Sequence, residues 1–311
     1  MKILITGATG FIGRNIAEEL RKDGEEVYAL VRKTSKIDFL QQLGVKFVYA
    51  DITDCDSLYA VTSKFDAVFH CAAYVDDKNW KKLLLVNVTG TENICKLCLR
   101  LEVRQLVYLS SVAVVSGHFQ VPLVEDLPYS ATNLYGISKI KAEEIVWDYR
   151  KKGLRSVILR PPMVYGEGEP HLLKFILFLL KHRIFPIIDA GRNKLHLGYV
   201  KNVAQAAVMA LHNEEFLKSA YFVGDKEVLT VSQIYLILAQ AISARKPFVL
   251  PEGLTPFLRN IPWLGRKIGF FIKDRVYDIS RIERLGYKPV YKAEEALVRS
   301  ARYFYPVKGK F

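Results

Sequence analysis

Six short apolar runs mark the first half of the chain, at residues 2–6, 26–31, 45–50, 66–70, 105–109 and 156–160, each short and apolar enough to be a buried parallel strand. The segments between them differ. At 14–22, at 83–101 and from Tyr135 onward, apolar positions recur with the spacing of a helix that has one face inside. Six strands alternating with helices over about 160 residues predict a parallel, doubly wound α/β sheet.

Pro161 and Pro162 break this rhythm. Beyond them the pattern predicts a loop at 163–168, a strongly apolar helix at 172–180, a strand and then a helix within 195–211, a strand at 221–224 and a helix at 231–243. No internal repeat or low-complexity linker separates two halves. The expected division is therefore a parallel α/β domain over 1–165 and a smaller C-terminal lobe over 166–311. The two interleave, because the elements near 195–211 are expected to return to the first domain.

Composition changes this picture little. Of 311 residues, 50% are hydrophobic, enough for a substantial core. The formal charge of +13 favours anionic company, such as a phosphorylated cofactor, an acidic substrate or a membrane surface, although lysines can also simply solubilise a surface. The cations are scattered and match no nucleic-acid-binding signature, so no nucleic acid partner is expected. Cys55, Cys71, Cys95 and Cys98 suggest a reducing compartment without a disulfide framework. Cys95 and Cys98 lie in an apolar helical run with no second pair or neighbouring histidine, which points to core packing and not to a metal. Residues 2–5 already begin a strand, and no apolar run reaches about 18 residues, so a cytoplasmic protein, peripheral to a membrane at most, is expected.

Candidate chemistry collects at the strand ends. The first strand runs into Gly7, Thr9, Gly10, Phe11, Ile12 and Gly13, and then into a helix. Strand, glycine turn and helix open a Rossmann-type fold. Gly7 and Gly10 let the backbone approach a pyrophosphate, Gly13 lets helix and strand pack closely, and the helix start supplies amide donors. The second strand ends without an acid and is followed by Arg32 and Lys33, which favours NADP(H) over NAD(H). Asp51, followed by Ile52, can accept from an adenine amino group, and Cys71, Ala72 and Ala73 are small enough for a cofactor to lie against their backbone. Asn87, on an apolar helical face, needs a partner and is expected to brace the cofactor site, while His70 is expected to be structural. Ser110 and Ser111 reach the carboxyl edge of the sheet, where a serine pair can also be only a cap. Tyr135 and Lys139 stand four apart on one helical face, where an ammonium would lower the phenol's pKa. Alone, that spacing is more often a solvated face with a packed aromatic.

Together these residues resemble the extended short-chain dehydrogenase/reductase family, also described as the NAD-dependent epimerase/dehydratase family. The match spans nearly the whole chain: 6–13, 70–73, 87–91, Ser110 with Ser111, Tyr135 with Lys139, Arg160 with Pro161, 164–166, 199–203 and 278–289. The resemblance implies that Tyr135 is the general acid/base, that Lys139 lowers its pKa and holds the nicotinamide ribose, and that Ser111 rather than Ser110 positions the reacting carbonyl. It also implies that backbone groups of Pro161 and Met163 meet the nicotinamide amide, and that the chain forms a homodimer through the helices at 83–101 and 135–149.

Branches of the family differ around this core. Val112 and Ala113 stand where dehydratases carry an acid/base pair, so elimination is not expected. Arg192 or Lys194 could serve the diphosphate of a nucleotide sugar, yet the run resembles reductases and dehydrogenases of dihydroflavonols, steroids and sterols more closely. His196 is expected to be a strand residue without chemistry. The basic and aromatic run at 257–273 suits peripheral membrane contact, or it roofs the substrate pocket. The expected function is NADP(H)-dependent hydride transfer to or from a secondary alcohol or ketone of an apolar, ring-containing small molecule. The alternative is a nucleotide-sugar epimerase or reductase, and a non-catalytic NADP-binding sensor ranks last because Ser111, Tyr135 and Lys139 are all present.

Overall fold

The computed structural model describes residues 1–184, 187, 189–250 and 273–306. Among these the strands, in chain order, are β1 (Lys2–Thr6), β2 (Glu26–Val31), β3 (Lys46–Tyr49), β4 (Ala67–His70), β5 (Gln105–Leu109) and β6 (Ser156–Arg160). They continue with β7 (Met163–Tyr165), β8 (Lys194–Leu195), β9 (Leu197–Tyr199), β10 (Ala220–Phe222) and β11 (Leu229–Thr230). The helices are α1 (Phe11–Lys22), α2 (Asp38–Gln42), α3 (Cys55–Tyr59), α4 (Trp80–Leu83), α5 (Gly90–Arg100) and α6 (Leu134–Lys151). After them come α7 (Leu173–Lys181), α8 (Val200–His212), α9 (Val231–Ala241), α10 (Ser280–Glu283) and α11 (Ala293–Phe304).

Seven strands form one sheet in the order β3-β2-β1-β4-β5-β6-β10, with every pairing parallel. This is the doubly wound Rossmann arrangement, extended by a seventh strand from far along the chain. Successive side chains of a strand face opposite ways, so Ile3 and Ile5 of β1 enter one core layer and Leu4 the other. The first layer is completed by Ile16 and Leu20 of α1 with Val203 and Ala207 of α8, and the second by Ile94 and Leu97 of α5 with Ala142 and Val146 of α6. A third cluster, with Leu177, Ile234, Leu238 and Leu297, holds α7, α9 and α11 together beside the carboxyl edge.

Two features depart from what the pattern predicts. Residues 163–165, expected in a loop, form β7 and pair in parallel with β9, Met163 opposite Leu197. The partner lies 34 residues on, so no local pattern announces it. The helix expected at 83–101 begins at Trp80 and contains a π-helical turn, Leu84–Thr89, between α4 and α5. The membrane segment expected at 257–273 lies outside the described residues, apart from Lys273. Among the described residues no helix is long and apolar enough to cross a membrane, and no cluster of histidine, cysteine and acidic side chains could hold a metal.

A buried ion pair fixes the helix that carries Tyr135. Arg160, at the end of β6, donates from Nη2 to Glu143 Oε2 at 2.6 Å and from Nε to Oε1 at 2.9 Å, while its Nη1 reaches the Glu125 carbonyl at 2.9 Å. Tyr129 donates its hydroxyl to the same carboxylate at 2.8 Å. Glu143 is 0% and Arg160 4% exposed. The pair therefore clamps the middle of α6 to the sheet.

Candidate active site

The site is assembled where six strands end, β1 to β6. At β1 the chain turns through Gly7, with φ of +71°, and the Gly10 N–H donates to the Gly7 carbonyl at 2.9 Å. A Cβ on Gly7 would stand 2.6 Å from the Ala72 amide nitrogen, and one on Gly13 would stand 2.2 Å from the Gly7 oxygen. Glycine is thus required at both: Gly7 lies under the β4 exit and Gly13 seats α1 on the turn.

From this turn a cleft of about 720 Å³ runs along the carboxyl edge. Gly7, Thr9, Gly10, Arg32, Asp51, Ile52, Cys71, Ala72 and Ala73 line it, and Lys33 does not. Phe11 and Ile12 pack their side chains toward the third cluster, which leaves only their α1 backbone amides facing the turn. The Asp51 carboxylate accepts from the Thr53 amide at 2.9 Å and hydroxyl at 2.8 Å. A glycine cradle that a Cβ would fill, first-turn helix amides and a long cleft fit a dinucleotide.

Polar groups behind the cleft hold its wall. Asn87, in the π-helical turn, donates to the Tyr74 carbonyl and to Ser138 Oγ, each at 2.9 Å, and accepts from the Tyr74 amide at 2.7 Å. It does not line the cleft itself. His70 hydrogen-bonds Thr6 and Thr91 hydroxyls through its two ring nitrogens, and burial pushes its pKa down to about 3, so it is neutral and structural.

Tyr135 sits in the first turn of α6. Asn133 caps that turn by accepting from the Gly136 amide at 2.8 Å, and Asp77 accepts from the Tyr135 amide at 2.7 Å. Ser111 Oγ accepts from the Ala113 amide at 3.1 Å and lies near enough to the Tyr135 phenol to pull its pKa downward. Because the amide takes a lone pair, the serine proton is directed elsewhere, toward the phenol or a substrate oxygen. Ser111 is therefore both cap and neighbour of Tyr135, whereas the Ser110 hydroxyl is buried without a partner. The Pro161 carbonyl accepts from Val112, and Met163 lies at the start of β7 beside the Ser111 turn.

Electrostatically the pair differs from expectation. Lys139 is 1% exposed, donates to the Leu109 carbonyl at 2.7 Å and lies 4.3 Å above the Tyr108 ring. Burial pushes its pKa down to about 7, against the opposing pull of Glu143 and Cys71. Tyr135, expected to be lowered by Lys139, is instead pushed up to about 12 by burial, with only the Ser111 hydrogen bond acting downward. The reason is desolvation, which disfavours the charged form of each group, and Lys139 is engaged by the Leu109 carbonyl and the Tyr108 ring.

Next to Ser111 lies a chamber of about 270 Å³, with Ala113, Met163, Leu195, Leu197 and Tyr277 among its walls. It shares Ser116, Thr132 and Arg275 with an outer cavity of about 600 Å³ that includes Phe119, Arg192 and Lys273. Lys194 lines neither. His196 falls between β8 and β9 rather than within a strand, and hydrogen-bonds the Asp225 and Tyr277 carbonyls at 2.7 and 3.0 Å. Asp225, which sequence reasoning missed, accepts from Tyr199, Asn202 and Tyr165 and is pushed up to about 6 by burial. Its one signal was an acid straight after a buried strand.

A parallel dinucleotide sheet, a glycine turn and Ser111, Tyr135 and Lys139 at its edge define an NAD(P)-dependent enzyme of the short-chain dehydrogenase/reductase type. More particularly, the chain belongs to the NAD dependent epimerase/dehydratase family, whose model matches residues 3–224. It is 27% identical to a 3 beta-hydroxysteroid dehydrogenase/Delta 5-->4-isomerase of Mycobacterium tuberculosis, over 97% of this chain and 90% of that protein. It is 28% identical to a putative UDP-glucose 4-epimerase of Methanocaldococcus jannaschii, over 96% of each. In fold it is similar to a Thermus thermophilus UDP-glucose 4-epimerase solved with NAD, with a TM-score of 0.79 and 24% identity over 99% of this chain and 100% of that one.

Proposed function

We propose that this protein is an NADP(H)-dependent oxidoreductase that interconverts a ketone and a secondary alcohol on an apolar, ring-containing molecule. The observation that carries the reading is the largely apolar chamber between Ser111 and the Leu195–Leu197 wall. The similarity to a hydroxysteroid dehydrogenase supports the substrate class.

When bound, the nicotinamide supplies or accepts the hydride. Tyr135, with its pKa near 12, holds its proton at neutral pH and suits donation to a carbonyl oxygen, hence reduction. Ser111 hydrogen-bonds the same oxygen as negative charge develops there. Lys139 contributes positive potential only while protonated. Since its pKa is held near 7, kcat/KM for carbonyl reduction is expected to fall as pH rises through that value. A pH profile flat to pH 9 would show instead that Lys139 keeps its charge in the working enzyme.

Arg32 lines the cleft at the end of β2, and its amide and carbonyl close a turn with Ser35. A cation just past the second strand is the kind of group that accommodates a ribose 2′-phosphate in this fold, which supports NADP(H). Arg32→Ala is expected to weaken NADPH binding by about tenfold, of the order of one charge-assisted hydrogen bond, and NADH much less. Titration of both dinucleotides checks this, and equal losses would remove Arg32 from that role.

A second reading, nucleotide-sugar epimerisation, is favoured by the cations of the outer cavity, Arg192, Lys273 and Arg275, and by similarity to a putative UDP-glucose 4-epimerase. Purified protein assayed with a panel of cyclic ketones and NADPH, and in parallel with UDP-sugars, separates the two. Ketone-dependent NADPH oxidation is expected; isomerisation of a UDP-sugar without net cofactor turnover would reverse the assignment.

A further inference from the structure

We propose that the outer face of α7, together with residues 245–249, is a docking surface for an anionic lipid bilayer. The proposal is independent of the substrate reading and concerns a face of the smaller lobe.

The inner face of α7 is ordinary: Leu173, Ile176, Leu177 and Leu180 are buried against α9 and α11. Its outer face is not. On a surface helix these positions are normally polar, but Phe175 and Phe178, one turn apart, are 57% and 44% exposed. Ile184, just beyond the helix, is 60% exposed. Ile187 donates to the Phe248 carbonyl and accepts from the Leu250 amide, both at 2.9 Å, which brings exposed Phe248 and Val249 beside the chain leaving α7. Five large apolar side chains thus stand exposed on neighbouring segments, a clustering that marks an interaction surface.

The charges identify the partner. Residues 170–184 and 240–250 carry Lys174, Lys181, Arg183, Arg245 and Lys246, all exposed, and no aspartate or glutamate. Cations interleaved with aromatics match an interface in which rings enter the acyl boundary and ammonium groups meet lipid phosphates. A second copy of the chain fits poorly, because a two-fold interface through this face would set these five cations against the same five. The nine residues of α7 are too few to span a bilayer, so the helix would lie in its plane. From Ile184 the chain soon reaches Arg192 and Asn193 of the outer cavity, with Gly191 packed on Ile187, so a docked molecule would present that cavity near the lipid surface.

Flotation of the full chain with vesicles tests this directly. Binding is expected to phosphatidylcholine vesicles containing phosphatidylglycerol, to be weakened by salt, and to be absent with phosphatidylcholine alone. Lys174→Gln with Lys246→Gln should lower the partition coefficient roughly 25-fold, about fivefold per charge. Phe175→Ser with Phe178→Ser should lower it at least as far, with the fold retained in thermal melting because neither ring belongs to a buried core cluster. No flotation of the wild-type chain, or flotation unaffected by both pairs of substitutions, would overturn the proposal. So would conversion of a dimer to a monomer by the phenylalanine changes with vesicle binding intact, since the patch would then hold a second copy.

Discussion

Tyr135→Phe is expected to lower turnover by about 10³-fold, within the range for losing a positioned general acid, while leaving dinucleotide affinity within a factor of two or so. The separation of the two effects follows from the geometry. The Tyr135 amide donates to Asp77, and the substitution leaves that bond in place while removing only the hydroxyl beside Ser111. The cradle at Gly7 and Gly10 and the cleft wall braced by Asn87 are untouched. At about 1.4 kcal/mol per tenfold, the loss corresponds to ~4 kcal/mol of transition-state stabilisation. Single-turnover hydride transfer measured beside dinucleotide titration checks both halves. Retention of most activity would mean that the proton comes from another group.

The second large effect is expected in stability. Arg160→Leu would leave the Glu143 carboxylate, wholly buried, with the Tyr129 hydroxyl as its remaining hydrogen-bond donor among the described residues. Removing one partner of a buried pair typically costs about 3–5 kcal/mol, because the other charge stays desolvated. A urea midpoint shifted accordingly, with partial recovery on Glu143→Leu in the same chain, would identify the stranded charge as the cause. Arg160→Lys is expected to recover only part, since an ammonium cannot reproduce the two-toothed contact with the carboxylate while also reaching Glu125. An unchanged midpoint would show that Glu143 finds a proton or water instead.

Much of the sheet was legible because parallel strands buried on both faces write themselves as apolar runs. The observed β1, β2, β5 and β6 coincide with such runs, and the glycine turn announced the cleft by its position after β1. What stayed hidden was non-local. β7 exists because β9 lies beside it, and Glu143 gives no sign in the sequence that Arg160 will meet it. The Tyr135 and Lys139 pair illustrates a different limit. Spacing places both side chains on one face of α6, but the sign of a pKa shift depends on how much water the fold excludes, and the sequence does not record depth. Asp77, Ser138 and Asp225 were missed for a related reason: each acts on a backbone or side-chain group far away in the chain.

The π-helical turn Leu84–Thr89 has a consequence for how this wall can vary. Its wider loop accommodates one residue beyond the α-helical count, and one residue of helix corresponds to about 100° of rotation. The continuous helix from Trp80 to Arg100 therefore carries two azimuths. One aims Asn87 at Tyr74 and Ser138; the other aims Ile94, Cys95 and Cys98 at the sheet. Side chains along it can be exchanged for others of similar size, whereas removing a single residue from the turn would leave one of the two sets pointing the wrong way. The segment is tolerant in composition and intolerant in length.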